Sequence, residues 1–128
     1  MFSKVQEPPV AHKVPMKEVP CVLQKGFSKY GITLEDDGES IWLYATSSKL
    51  SEIFCTAYIS ASGGLKDVES YVVHNATLGR VGLYYKGQFH VIFDFKSKKA
   101  CARSGLGSGT AWGNISFAWD DSMEIGLE

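Results

Sequence analysis

The amino-acid sequence predicts an all-β domain: a small closed antiparallel β-barrel of about eight strands, in Greek-key or up-and-down order, led by an extended proline-containing arm. Three observations carry this expectation. Residues 79–95, Gly-Arg-Val-Gly-Leu-Tyr-Tyr-Lys-Gly-Gln-Phe-His-Val-Ile-Phe-Asp-Phe, alternate apolar and polar side chains around one turn signal. Within them Phe89, Val91, Phe93 and Phe95 fall on one face and Gln88, His90, Ile92 and Asp94 on the other, the period-two pattern of a half-buried strand. Short runs of this kind follow one another without intervening amphipathic helices, which favours a sandwich or a barrel. Finally, Pro8, Pro9, Pro15 and Pro20 are all the prolines of the chain, and proline lacks a ladder donor and is confined to strand starts and edges.

Along the chain, residues 1–19 therefore read as a flexible arm and residues 20–128 as the barrel, beginning near Cys21. Strands are expected at about 20–25, 30–35, 40–47, 53–61, 68–76, 79–85, 88–95, 98–104 and 113–120, with a last short one at 123–127. Turn-forming residues separate them: Glu35-Asp36-Asp37-Gly38-Glu39, Ser62-Gly63-Gly64, Lys86-Gly87 and Lys96-Ser97-Lys98. Lys86-Gly87 is the clearest hairpin, because glycine accepts the positive φ of a tight two-residue turn. Leu50, Ile53 and Phe54 have helix-like spacing, but a strand starting at Ile53 accounts for most of it. Residues 104–113, Ser-Gly-Leu-Gly-Ser-Gly-Thr-Ala-Trp-Gly, lack bulk at alternate positions, which suits a sharp bend or the close approach of another backbone. With no Gly-Lys-Ser/Thr and no helix pattern behind it, the tract is not a phosphate cradle.

Composition narrows the function classes. A chain of 128 residues that is 45% hydrophobic supplies one domain with a core. Its formal net charge is -1 with Lys and Arg dispersed, so no basic stripe offers phosphate neutralisation and nucleic acid is not an expected partner. Lys96, Lys98 and Lys99, the densest cationic cluster, read as a solvated turn. No segment approaches the ~20 apolar residues that span a bilayer as a helix. Cys21, Cys55 and Cys101 are odd in number and too widely spaced for a metal-ligand motif. Cys55 and Cys101 lie in β-like runs as small buried hydrophobes, and a bridge from Cys21 to one of them stays open.

No residue pattern points to catalysis. His74 and His90 have no metal-ligand spacing, and His90 and Asp94, on one strand face, stand roughly 13 Å apart. A Cys–His nucleophile would need a thiol beside an imidazole, which the spacing does not provide. The acidic turn at 35–39 lacks the alternating ligand positions of a calcium loop, and Asp120-Asp121 reads as a strand-end charge pair. The expectation is a protein that is not an enzyme and has no catalytic residues, cofactor or metal.

Contact chemistry is the remaining signal. Trp42, Tyr44, His74, Tyr84, His90, Trp112 and Trp119 are the candidate surface or ligand contacts, with core packing as the competing use of the rings. Both asparagines, Asn75 and Asn114, occupy Asn-x-Ser/Thr sequons, candidate glycosylation sites that point to a secreted or extracellular chain. Asn114 and Ser116 would share the outer face of a strand whose Ile115, Phe117 and Trp119 point inward.

Tyr71-Val72-Val73-His74, then Phe89-His90-Val91, then the glycine-rich stretch ending in Trp112-Gly113 and a run closing on Asp120-Asp121 resemble the core of the rhodococcal virulence-associated protein family. The resemblance covers residues 71–121. It implies a compact closed barrel of eight antiparallel strands without a catalytic site, secreted to act in host phagosomes. Residues 1–60 depart from the family pattern. The expected function is accordingly a non-enzymatic interaction protein that contacts a protein, glycan or membrane surface; the alternative is a small-ligand or lectin-like barrel, and a small β-barrel enzyme comes third.

Overall fold

The computed structural model describes residues 12–15 and 22–27 as backbone and residues 29–60 and 70–128 in full. Among the described residues ten strands form: β1 (His12–Pro15), β2 (Val22–Phe27), β3 (Tyr30–Asp36), β4 (Ser40–Ser47), β5 (Ile53–Ser60), β6 (Ser70–Asn75), β7 (Arg80–Tyr85), β8 (Gln88–Asp94), β9 (Lys99–Ala102) and β10 (Leu106–Gly109). They build two antiparallel sheets, sheet A in the order β1-β6-β7-β8-β9 and sheet B in the order β10-β5-β4-β3-β2. Each sheet is thus an up-and-down meander, β6–β9 or β2–β5, extended by one strand from elsewhere in the chain. The all-β expectation holds. The closed barrel does not, because among the described residues no ladder joins one sheet to the other.

The reason lies where β9 leads into β10. Ala102 O accepts from Gly105 N in the intervening turn at 2.9 Å, and the chain leaves sheet A for sheet B. The space beside this corner is filled by side chains instead of a ladder. Phe117 belongs to the core between the sheets, and Trp112 and Ile115 pack against it. Ala102 N donates to Phe117 O at 3.0 Å, and the segment 113–120, expected as a strand, is irregular throughout. The glycine tract makes room for it. A Cβ on Gly107 would lie 2.4 Å from the Phe117 ring, and one on Gly109 would lie 1.6 Å from Gly113 O, so the expected close approach of another backbone is what β10 provides.

The core between the sheets follows the alternation. Ile32 and Leu34 of β3, Ile41 and Leu43 of β4, Val72 of β6, Leu83 of β7, and Val91 and Phe93 of β8 are fully buried there. Each such side chain contributes about 1.5–3 kcal/mol by leaving water. The β7–β8 hairpin turns at Lys86 (φ 50°) and Gly87 (φ 81°), two positive values that define the type I′ geometry matched to strand twist.

One face assignment fails. Leu83 pairs with Val91 but Tyr84 pairs with Phe89, so His90 has no ladder partner. This bulge reverses the side-chain direction. Phe89 therefore joins a second cluster with Val73, Ile92 and Cys101 on the outer face of sheet A. β8 is buried on both faces, and not half-buried as the alternation predicts, because the C-terminal segment covers that outer face with Met123 and Leu127. The expected last strand at 123–127 is instead a 3-10 turn, η1 (Asp121–Glu124), with Asp120 as its N-cap.

Arg80 holds this cover in place. Its Nε donates to Asp94 Oδ2 at 2.9 Å, and its Nη1 donates to the carbonyls of Ser122 (3.1 Å) and Ile125 (2.8 Å). Asn75 adds a bond from Nδ2 to Gly126 O at 3.0 Å. Of the expected arm, the described part, His12–Pro15, pairs with β6 in the register His12↔His74 to Pro15↔Tyr71; the rest of residues 1–19, the expected barrel start at Cys21 and the turn Ser62-Gly63-Gly64 lie outside the described residues.

Two outcomes test this architecture. Arg80→Met leaves the Asp94 carboxylate without its cation and the bonds to the Ser122, Met123 and Ile125 carbonyls unmade, and should lower stability by about 2–4 kcal/mol in equilibrium urea unfolding, with amide exchange accelerating first in residues 122–127. Gly107→Val should cost about 1–3 kcal/mol by overpacking, and most of that cost should vanish in a Phe117→Ala background if the two side chains compete for one space.

Candidate functional site

The candidate site is the outer face of sheet B. Cross-strand register lines up Glu35, Trp42, Tyr58 and Leu106 in one row over β3, β4, β5 and β10. A second row holds Thr33, Tyr44, Thr56 and Ser108. Inward residues of the same strands, such as Leu43 and Ala57, are in the core, so the outward rows follow from strand alternation alone. Trp42 is 41% exposed and Leu106 54% exposed, large values for apolar side chains in strands. The Trp42 and Tyr58 rings pack on each other, centroids 4.6 Å apart and tilted by 55°, and the Tyr58 hydroxyl lies 3.3 Å from Ser40 Oγ. Tyr44 is bonded to the Glu35 carboxylate, and that bond, with some burial and the negative charge, pushes its phenol up to about 12. The row therefore presents an apolar centre of Trp42, Tyr58 and Leu106 between a carboxylate and hydroxyls.

The other expected contact residues lie elsewhere. Tyr84 is on the outer face of sheet A, where Tyr71 and Phe89 flank it at 6.5 Å and 5.1 Å between ring centroids. Trp112 is a packing residue, stacked on Phe54 at 5.7 Å and edge-on to Phe95 at 5.5 Å. Trp119 lies half-buried beneath the Arg103 guanidinium, 3.9 Å from the ring centroid, and its Nε1 donates to Asp121 Oδ1 at 2.7 Å. His74 is half-buried on β6. His90 stacks on Tyr85 at 3.7 Å between centroids and places Nε2 3.0 Å from Tyr85 O.

Asn75 is not presented for glycosylation. Its side chain is buried, and Nδ2, the atom a glycan would occupy, donates to Gly126 O while Oδ1 accepts from Leu78 N. Asn114 is exposed. The inward set expected beside it divides: Phe117 enters the core between the sheets, whereas Trp119 packs on the outer cluster of sheet A.

Nucleophile chemistry finds no support in the cysteines. Cys55 and Cys101 are free and buried, in separate clusters. Burial pushes the Cys55 thiol up to about 12 and raises that of Cys101, so neither is a thiolate near neutrality. The acidic turn is closed on itself, with Asp37 Oδ1 accepting from Glu39 N and Ser40 N. Among the described residues no three His, Cys, Asp or Glu side chains gather to hold a metal ion, and no helix is long and apolar enough to cross a membrane.

Trp42 and Tyr44 are among the contact residues expected from the sequence, whereas Glu35, Tyr58 and Leu106 are not; only the cross-strand register shows that these three form one row with Trp42. Comparisons with family models, curated proteins and solved structures find no match.

His90 gives a pH signature. Burial, ahead of the charges of Arg103 and Lys86, holds it below the ordinary imidazole value of 6.5 despite the bond to Tyr85 O. The unfolded chain binds the proton more readily, so stability from the neutral ring is fully present above pH 6.5 and is lost as pH falls through the lowered value. His90→Phe keeps a stacking ring and removes the titration; it should flatten the unfolding free energy between about pH 7.5 and 5 relative to the wild type, and equal slopes would clear His90 of this role.

Proposed function

We propose that this chain is a non-enzymatic binding module that docks a protein partner on the outer face of sheet B, with Trp42, Tyr58 and Leu106 as the anchor. The observation that carries the reading is the exposed apolar row itself. An aromatic pair beside an exposed leucine, surrounded by Glu35, Ser40, Thr56 and Ser108, has the apolar centre and polar rim of a protein interface. β10 lies beside the row as the edge of sheet B, which adds backbone groups at the margin of the patch.

A glycan is the second reading. Sugar rings stack best on a flat aromatic platform, and the 55° tilt between Trp42 and Tyr58 breaks that plane, which favours the protein partner. A ligand carried between the sheets is disfavoured by the apolar side chains from both sheets that meet there. The resemblance of residues 71–121 to the virulence-associated family supports a non-enzymatic, secreted protein acting at a surface.

The test begins with a photo-crosslinker at position 58 or 106 to identify the contacting molecule, followed by titration of that molecule in purified form. Trp42→Ala should weaken binding about 30-fold or more, the effect of a 2 kcal/mol hot spot, with an unchanged unfolding midpoint. Sedimentation at rising concentration reads a second copy of the chain as the partner. Saturable binding on a glycan array, abolished by Trp42→Ala, would replace the protein reading with the lectin-like one. Liposome binding lost in the same variant would replace it with a membrane contact.

A further inference from the structure

Sheet A carries a concave feature that the docking row does not use. We propose that the groove between β6, β7, β8 and the C-terminal segment binds a trimethylammonium head group. The groove encloses about 480 Å³, within the range of small-molecule sites, about 300–1,000 Å³. Tyr71 and Tyr84 line it over the buried Phe89 and Leu127, and Glu124 and Glu128 belong to the lining.

Three features select this chemistry. First, the rings stand at angles to one another, 44° between Tyr71 and Tyr84 and 75° between Tyr84 and Phe89. They form walls instead of one stack, so more than one π face or edge reaches the same volume. The electron-rich faces attract a cation, and the apolar surface welcomes its methyl groups. Second, the charge is one-sided: among the described residues the groove lining has two carboxylates and no Lys, Arg or His. An anion would meet repulsion at the mouth, and a neutral apolar ligand would leave the carboxylates unused. Third, two guanidinium groups beside sheet A are already engaged: Arg80 is bonded to Asp94, and Arg103 lies over Trp119 with its Nε on Phe89 O at 2.9 Å. The Arg103–Trp119 contact also shows the same face holding a guanidinium against an aromatic ring.

A methylated ammonium suits the groove better than a bare one. Primary ammonium is strongly hydrated and needs acceptors for three N–H groups, whereas the walls provide rings and a leucine. The same head group occurs on free choline-like molecules and on trimethylated lysine in a polypeptide, and the experiment separates them.

The full chain is titrated with choline, with its uncharged carbon isostere 3,3-dimethylbutan-1-ol, and with a short trimethyllysine peptide, followed by amide and side-chain NMR shifts. Choline or the peptide should saturate and move the signals of Tyr84, Phe89 and Leu127, and the isostere should bind about tenfold or more weakly. Whichever of choline and the peptide binds tighter names the source of the head group. Tyr84→Phe should bind within about threefold of the wild type and Tyr84→Leu should lose binding. Glu124→Gln with Glu128→Gln should weaken binding several-fold without unfolding the chain. Equal binding of choline and the isostere, no saturation by either cation, or shifts confined to sheet B would overturn the proposal.

Discussion

The Arg80 guanidinium is the contact on which the layering of this fold depends. Arg80 stands opposite Asp94 in the β7–β8 ladder, so the ion pair costs little reorganisation once the hairpin forms. The same guanidinium then gathers carbonyls of Ser122 and Ile125 at the end of a short 3-10 turn, where the peptide dipoles leave negative charge. Asp94 serves a second purpose, because its other oxygen accepts from Lys96 N and Ser97 N and shapes the β8–β9 turn. One charge pair therefore fixes a hairpin, a turn and the path of the C-terminal segment. Without that segment the outer face of sheet A would expose Val73, Phe89, Ile92 and Cys101, an apolar surface that water would penalise.

Strand β8 of sheet A is thus buried on both faces by its own chain, an unusual arrangement in an antiparallel sheet. Sheet B carries its own exposed row on the outside. The difference sets which apolar surface stays uncovered. On sheet B the uncovered row of Trp42, Tyr58 and Leu106 is broad and exposed. On sheet A the cover stops short of Tyr71 and Tyr84, and the gap between cover and strand is the aromatic groove. The two proposed sites are consequences of where one C-terminal segment lies.

The groups that a catalytic reading would use are absorbed into structure. His90 occupies a bulge, stacked and bonded to the Tyr85 backbone; Cys55 and Cys101 fill two cores; and the carboxylates of Asp36 and Asp37 cap their own turn. Each has a structural partner that accounts for its placement.

Alternation and turn chemistry, both local, were readable in the chain itself. They determined the strands from Tyr30 to Asp94, the Lys86-Gly87 hairpin, the inward set around Val91 and Phe93, and the need for small residues at Gly107 and Gly109. Tertiary structure decided what depends on register and on distant contacts. A single bulged residue at His90 moved Phe89 to the opposite face, and no local pattern announces such a slip. Residues 113–127 alternate as convincingly as a strand, yet Phe117 fills the gap beside the β9–β10 corner and Met123 and Leu127 cover sheet A, because Arg80 and Asn75 hold the backbone there. Asn75 reads as an exposed sequon until that segment buries it. Closure of the barrel was likewise undecidable from alternation, since a hydrogen-bonded seam and a seam filled by side chains demand the same period of two.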